Sequence, residues 1–318
     1  MKPGNRPRTN GRGRIGWLAI AAVMVCFCGL FSSPRLHASK PPHRQASTPP
    51  RPQAAPHRII SLIPSVTEML FAMGAGDDVI AVSSFDHYPP EAEKRRKVGG
   101  LIDPDFELIL SLRPDLVIVY GTQGDLIGRL DRAHIPMFNY EHAGLADVTQ
   151  TIRKIGLRIG HAAGAETLAA GIERDLAAIR ARTARISKPS TLLVFEREAG
   201  SLRGMFASGS VGFLHDMLEV AGGTNVFADV KRQSLQLAAE QVLARAPEVI
   251  IEIHSGPGWT PDRIARERDV WRGLSSVPAV RTGRIYLLVD EMVSIPGPRV
   301  AEATRMIARV LHPDVFGK

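Results

Sequence analysis

The feature of the sequence that most constrains its fold is that it repeats itself. Residues 105–120, DFELILSLRPDLVIVY, align without gaps on residues 238–253, AAEQVLARAPEVIIEI, 133 positions later. Glu107 meets Glu240, Leu110 meets Leu243, Pro114 meets Pro247, Asp115 meets Glu248 and Ile118 meets Ile251. A second echo, 148 positions apart, sets Met69, Leu70 and Gly74 against Met217, Leu218 and Gly222. Each copy of the first echo reads as a helix, a proline that breaks it and a run of buried strand. Such units resemble one another by chance, because proline and β-branched residues recur in all of them. Two echoes in the same chain order have a simpler source, a chain built from two similar α/β lobes.

The stretch ahead of the first copy fits the same class. Arg58–Ile63 reads as a strand, MLFAMG as a helix ended by Gly74, and Asp78–Val82 as the next strand. Ser65 and Glu68 have the spacing of a capping box at the start of that helix. Strands alternating with helices predict a parallel sheet in each lobe. Between the lobes, Leu168, Ile172, Leu176, Ile179, Thr183 and Ile186 form one stripe through Ala165–Ile186, opposite Arg174, Arg180, Arg182 and Arg185. At 1.5 Å per residue this helix extends about 33 Å, enough for a rigid strut against which both lobes pack. The expected fold is α/β, two lobes with parallel sheets joined by one long rigid helix, with a ligand cleft between them. The expected boundaries are 58–160 for the first lobe, 161–187 for the helix and 188–318 for the second lobe.

Residues 1–57 hold nine Lys and Arg and no Asp or Glu, which leaves 31 basic against 32 acidic residues in the rest of the chain. The net charge of +8 therefore belongs to a tail. A near-neutral body removes the electrostatic ground for binding nucleic acid. Within the tail a basic segment precedes an apolar run of 17 residues, Ile15–Phe31, and then small residues around Ala38. That is the layout of a secretory signal. Residues 1–38 are expected to be a cleaved signal peptide or a retained N-terminal anchor, and in both cases the body is exported. Residues 39–57 are Pro-rich and read as a disordered linker. Cys26 and Cys28 both fall in the apolar run, so the exported body is expected to have neither disulfides nor thiol chemistry. Val25 and Phe27, which precede the cysteines, are large for lipid-attachment sites.

The sequence offers no recognisable catalytic pair. Gly74-Ala75-Gly76 lacks the rest of a dinucleotide fingerprint, and no phosphate-binding G-x-x-x-x-G-K-[ST] loop occurs. Ser208–Gly212 lacks the order of a nucleophile elbow. It reads instead as a Gly-rich entry to a helix over 211–221, where free N–H groups would hold an anionic ligand group. The histidines are scattered without metal-ligand spacing, so no protein metal site is expected, and His87 is the one placed near the expected cleft.

Five motifs, SLIPSVTEMLFAMG, VSSFDHYPPEA, FELILSLRPDLVI, AGGTNVFAD and EQVLARAPEVII, follow one another within 58–312. Through them the chain resembles the vitamin B12-binding periplasmic protein family, substrate-binding proteins of ABC importers for cobalamin, ferric siderophores and haem. The resemblance implies a monomeric periplasmic protein without enzymatic activity or cofactor of its own. It implies a cobalt or iron chelate as ligand, a corrinoid first, with ferric siderophore or haem as the alternative. An exported α/β enzyme using the cleft, and an anchored sensor serving a partner other than a transporter, are the rival classes. The resemblance places ligand-facing positions at Phe85, Leu101, Tyr120, Phe206, Ser234 and Asp290-Glu291-Met292. Leu101 and Ser234 stand where the cobalamin binder has tryptophans, and Trp259 offers a ring from a Gly/Pro-rich loop. It places the contacts to an ABC permease dimer at Glu107 and Glu240, the two glutamates that the internal repeat superposes. A carboxylate early in a helix is favoured by the helix dipole, and two related by lobe symmetry suit paired arginines on a two-fold partner.

Overall fold

Short apolar runs alternating with amphipathic stretches form the first lobe. Its elements are β1 (Ile59–Ser61), α1 (Pro64–Ala72), β2 (Val79–Val82), α2 (Pro90–Glu93) and β3 (Arg96–Lys97). The repeated unit follows as α3 (Phe106–Ser111) and β4 (Leu116–Tyr120), and then come α4 (Gly124–Arg132), β5 (Met137–Tyr140) and α5 (Leu145–Arg158). The helix α6 (Ala162–Thr183) leads into the second lobe. That lobe begins with β6 (Ser190–Glu196), β7 (Met205–Ser208), α7 (Phe213–Val220), β8 (Thr224–Asn225) and β9 (Ser234–Leu237). The second repeated unit is α8 (Ala239–Arg245) and β10 (Val249–His254). The chain finishes with α9 (Pro261–Asp269), α10 (Pro278–Arg281), β11 (Ile285–Val289), α11 (Val300–Leu311) and α12 (Pro313–Phe316). This computed structural model describes residues 55–141 and 144–317, which fall within one compact unit, Pro52–Lys318. The export segment 1–38, both cysteines and linker residues 39–54 lie outside the described residues. The end of the expected linker is held: the His57 N–H donates to Asp115 Oδ2 at 3.1 Å, and its ring lies 3.0 Å from Asp78.

The first sheet has the order β3-β2-β1-β4-β5 and is parallel throughout. The second has the order β11-β10-β6-β7-β9, with β8 beside β6. Here the expectation of a parallel sheet holds only in part, because β7 runs antiparallel to both β6 and β9. The connection from Glu196 to Met205 turns at Gly200 and Gly204, both at positive φ, and is too short for a crossover helix. The repeat lies on equivalent places, since β4 and β10 each flank the first strand of their lobe. Arg113 and Ala246, 133 positions apart, both adopt the left-handed conformation, with φ of 46° and 45°, just before Pro114 and Pro247. The second echo is matched in the same way: α1 and α7 both lead into glycines at positive φ, Gly74 and Gly222.

Side chains alternate between the two faces of each sheet. In β4, Leu116 and Ile118 join a core that also contains Met217, Val249, Ile251 and Ile307 of the second lobe, whereas Val117 and Val119 face a separate cluster. The shared core is built on α6, through Ala165, Ala169, Ile172, Leu176 and Ile179. The helix starts and ends three residues before the expected bounds, and Ala165 and Ala169 take the place expected of Leu168 in the buried stripe. A Cβ on Gly156 would stand 2.2 Å from that of Ala165, so α5 and α6 meet where only small residues fit.

Ser65 and Glu68 form no capping box. Pro64 opens α1, where its fixed φ and missing N–H suit the first turn, and no side chain caps the helix. Glu68, only 2 % exposed, reaches 231 positions along the chain to Arg299, whose Nη2 and Nε donate to its two carboxylate oxygens at 2.6 and 2.9 Å. Its counterpart across the 148-residue echo is Asp216 of α7, which accepts a hydrogen bond from the Leu145 N–H at the start of α5, at 2.9 Å. Each lobe thus sends a carboxylate to the entry of the other lobe's last long helix. Replacing Arg299 by Ala strands the buried Glu68 charge and is expected to cost about 3–5 kcal/mol in urea unfolding. Replacing Glu68 and Arg299 together by Met should recover most of that loss, and a single-variant cost below about 1 kcal/mol would contradict it.

Candidate ligand site between the lobes

In open parallel sheets the carboxyl ends of the strands leave a crevice where neighbouring connections run in opposite directions. In the first lobe that place lies between β1 and β4. A cavity of about 440 Å³ occupies it. The end of β1 contributes Leu62–Ser65, the end of β2 contributes Ser83, Phe85 and His87, and β4 and β5 contribute Tyr120 and Tyr140. The second lobe closes it with Ser255 and Gly256 after β10, and with Glu291 and Ser294–Pro296 after β11. A second cavity of about 360 Å³ adjoins it through Ser255 and Ser294 and is lined by Phe195–Arg197, Leu214, Ile253 and His254.

The first-lobe wall is held by short-range bonds. Tyr120 and Tyr140 meet edge to face with ring centroids 5.9 Å apart. Burial pushes the Tyr140 hydroxyl up to about 12, and burial also raises that of Tyr120, so both rings stay neutral. Gln123 accepts from the Tyr120 N–H at 2.9 Å and donates to the Leu101 carbonyl at 2.7 Å, which ties the Leu101 loop to the end of β4. Phe85 is 63 % exposed and lies over Gly100, where a Cβ would come within 2.7 Å of its ring. Its backbone N–H donates to Ser83 Oγ at 3.2 Å, and Ser83 in turn donates to the buried Asp86.

Of the expected ligand-facing residues, Phe85, Leu101, Tyr120 and Glu291 come together in the first cavity. Asp290, Met292, Phe206, Ser234 and Trp259 do not line it. Met292 points into the shared core, and Asp290 is spent in accepting from the Met292 N–H at 3.0 Å. Phe206 is half-buried on β7 between Glu196 and Gln236, and Ser234 is exposed at the start of β9 opposite Ser208. Both sit in the antiparallel part of the second sheet. Trp259 stacks on His254 with ring centroids 4.0 Å apart, beside the second cavity. His87 lines the first cavity. Within Ser208–Gly212 the N–H groups of Gly209, Ser210 and Val211 donate to the carbonyls of Gln233, Val230 and Arg232, so these three are not free for an anion. Glu107 and Glu240 are exposed in the first turns of α3 and α8. Each of these helices runs into its strand through a tight connection, so its first turn lies at the same sheet edge as the cavities.

Residues 59–292 match the family model described as periplasmic binding protein. The chain belongs to that family. It is 30% identical over 260 residues to the vitamin B12-binding protein of Pectobacterium carotovorum subsp. carotovorum, covering 81% of this chain and 89% of that one. It is also 30% identical, over 82% of both chains, to an uncharacterised ABC transporter substrate-binding lipoprotein of Bacillus subtilis, YvrC. The structure of the periplasmic heme-binding protein RhuT from Roseiflexus sp. RS-1 superposes with a TM-score of 0.67 at 28% identity, covering 82% of this chain and 99% of that one.

This periplasmic binding protein carries a buried polar cluster that sequence reasoning missed. Glu252, in the middle of β10, stands where the internal repeat puts Val119, and that unshared acid in an apolar strand was the available signal. Its carboxylate accepts from Arg197 Nε at 2.9 Å, Arg197 Nη2 at 3.1 Å and the Trp271 indole, and His254 Nε2 lies 2.8 Å away. Arg197 also pairs with Glu267 at 2.8 Å. Burial pushes the Glu252 carboxyl up, but the bonds from His254, Arg197 and Trp271 outweigh it and hold the group below its usual range. A depressed folded-state pKa stabilises the fold above the unfolded carboxylate value, and that stabilisation is lost as pH falls through the folded value. The urea midpoint should therefore fall on acidification below about pH 4.3, and Glu252→Gln should show a shallower decline there. An equal decline in that variant would assign the acid sensitivity elsewhere.

Proposed function

We propose that this protein is the exported substrate-binding component of an ABC importer. It captures a corrinoid or related metal chelate between its lobes, acts as a monomer, and passes the ligand to a permease dimer without transforming it. The observation that carries the reading is the interlobe cavity at the carboxyl edge of the first sheet, walled by Phe85, Leu101, Tyr120 and Tyr140, in a chain of the periplasmic binding protein family. Aromatic and apolar walls with few charges suit a flat macrocycle, whose faces bury large area at little polar cost. The vitamin B12-binding relative puts cobalamin first. The haem-binding structural relative keeps haem as the second reading. The N-terminal segment delivers the body to the periplasm, either freed by cleavage or tethered to the inner membrane.

Titration of the purified protein with cobalamin, haem and ferric siderophores, followed by tryptophan quenching, tests the ligand class. Tyr120→Ala is expected to weaken binding about 10- to 100-fold, the scale of losing one ring from a desolvated contact. Absence of sub-millimolar binding for all three chelates would overturn the class.

Glu107 and Glu240 are the proposed permease contacts. Both are exposed, both sit in a helix first turn, and the internal repeat relates them. Arg129 is only a loose neighbour of Glu107, 3.4 Å away. The double reversal Glu107→Arg with Glu240→Arg should abolish uptake in cells and leave solution affinity within about twofold. A large loss of solution affinity would move these residues into the ligand site.

A further inference from the structure

Resting on the metal-chelate reading above, we infer that His254 is the protein's own ligand to the bound metal, through Nδ1, with Glu252 holding the ring by its other nitrogen. The chelate must then offer an open or water-filled axial position, as a ferric haem or an aquo-corrinoid does. A ferric centre saturated by a hexadentate chelator gains nothing from this residue.

Four observations converge on the ring. His254 ends β10 and lines the cavity that adjoins the aromatic one. Its Nε2 is 2.8 Å from Glu252 Oε2, a carboxylate that is wholly buried. A buried carboxylate here takes a proton donor, so Nε2 carries the hydrogen and the lone pair is left on Nδ1. Among the described residues Nδ1 has no hydrogen-bond partner. Trp259 stacks on the ring, and the Arg263 guanidinium lies 4.0 Å over Trp259 in turn, which fixes the imidazole plane from the loop side.

A carboxylate on the far nitrogen is the usual second partner of a metal-bound histidine, because it fixes the tautomer and raises the basicity of the ligating atom. Arg197 bridges Glu252 and Glu267, which fixes the Glu252 carboxylate in place behind the ring. The other histidine at the site lacks this arrangement: His87 is more than half exposed, and its nearest carboxylate, Glu93, is 3.7 Å away and exposed. Among the described residues no group of three His, Cys, Asp or Glu could cage a bare ion. A single imidazole suits a metal that arrives with its equatorial ligands already in place.

The test loads the protein with ferric haem and, separately, with aquocobalamin. Pulsed EPR on the wild-type haem complex should detect a directly bound imidazole nitrogen, and aquocobalamin should change its visible spectrum as nitrogen replaces water. His254→Gly should lose both signatures and bind these two probes at least about tenfold more weakly, with added imidazole restoring the spectra. Cyanocobalamin, whose axial positions are filled, should bind the wild type without the spectral change that marks nitrogen replacing water. A wild-type complex without a protein nitrogen on the metal, or spectra unaltered in His254→Gly, overturns the inference and leaves the chelate reading standing. The wild-type spectra decide this even if the variant does not fold. Failure of the wild type to bind haem and aquocobalamin overturns the inference, and only failure with cyanocobalamin and ferric siderophores as well brings down the chelate reading with it.

Discussion

The two lobes share one core, and the rest of the structure depends on it. The buried stripe of α6 packs against both lobes, so apolar residues from Ile59 to Leu311 form one continuous cluster. Close approach at Gly156 and Ala165 presses α5 onto that helix and leaves little room to slide. Each sheet keeps its other face for a private cluster, one around Ile109 and Val117, the other around Trp271 and Leu192. A cleft between lobes joined in this way owes its width to side-chain packing more than to any linker.

Two polar contacts complete the joint, and they are related as the lobes are. Glu68 grips Arg299 with both oxygens, and Asp216 takes the first N–H of α5. Apolar packing alone tolerates small sliding, whereas a bidentate carboxylate–guanidinium pair accepts one geometry. Burying that pair costs desolvation, so its net contribution to stability is modest. Its directional demand bears on the cleft, because only Gly297 and Pro298 separate Arg299 from the 294–296 segment that closes the cavity. The lobe joint and the cavity wall are therefore parts of one covalent stretch.

The two halves of the cleft differ in character despite their common plan. At the end of β4 the repeat carries Val119 and Tyr120, an apolar strand leading to an aromatic wall. At the matching end of β10 it carries Glu252 and Ile253, followed by His254, a buried charge cluster leading to an imidazole. The repeated helix–strand unit has the same backbone turn in both lobes, and different residues at the strand ends make one side a surface for rings and the other a place for polar contact. In the proposed reading, one face of a macrocycle meets each kind.

Much of this was legible in the sequence, for a local reason. Helix breakers, the 3.6-residue period of α6 and runs of β-branched residues act within one element, so the repeat, the two lobes and the long helix could be read directly. The aromatic cavity wall at Phe85 and Tyr120 could be named only through the family resemblance, and their meeting in one cavity came from the fold. Local reading failed where a local pattern had a distant competitor. Ser65 and Glu68 have capping-box spacing, but the helix starts at Pro64, and the buried Glu68 carboxylate needs the charge partner that Arg299 brings from elsewhere in the fold. Met292 and Glu291 are neighbours in sequence, yet one fills the core and the other lines the cavity. Glu252 and His254 carried no motif, and their partners lie on other elements, on Arg197, Trp271 and Trp259. The sequence by itself determined the repeated helix–strand units, their place in two lobes and the long helix between them. Which strand ends face the cleft, which sheet half turns antiparallel and which charges find each other were decided by tertiary packing, because those contacts join residues that no local period relates.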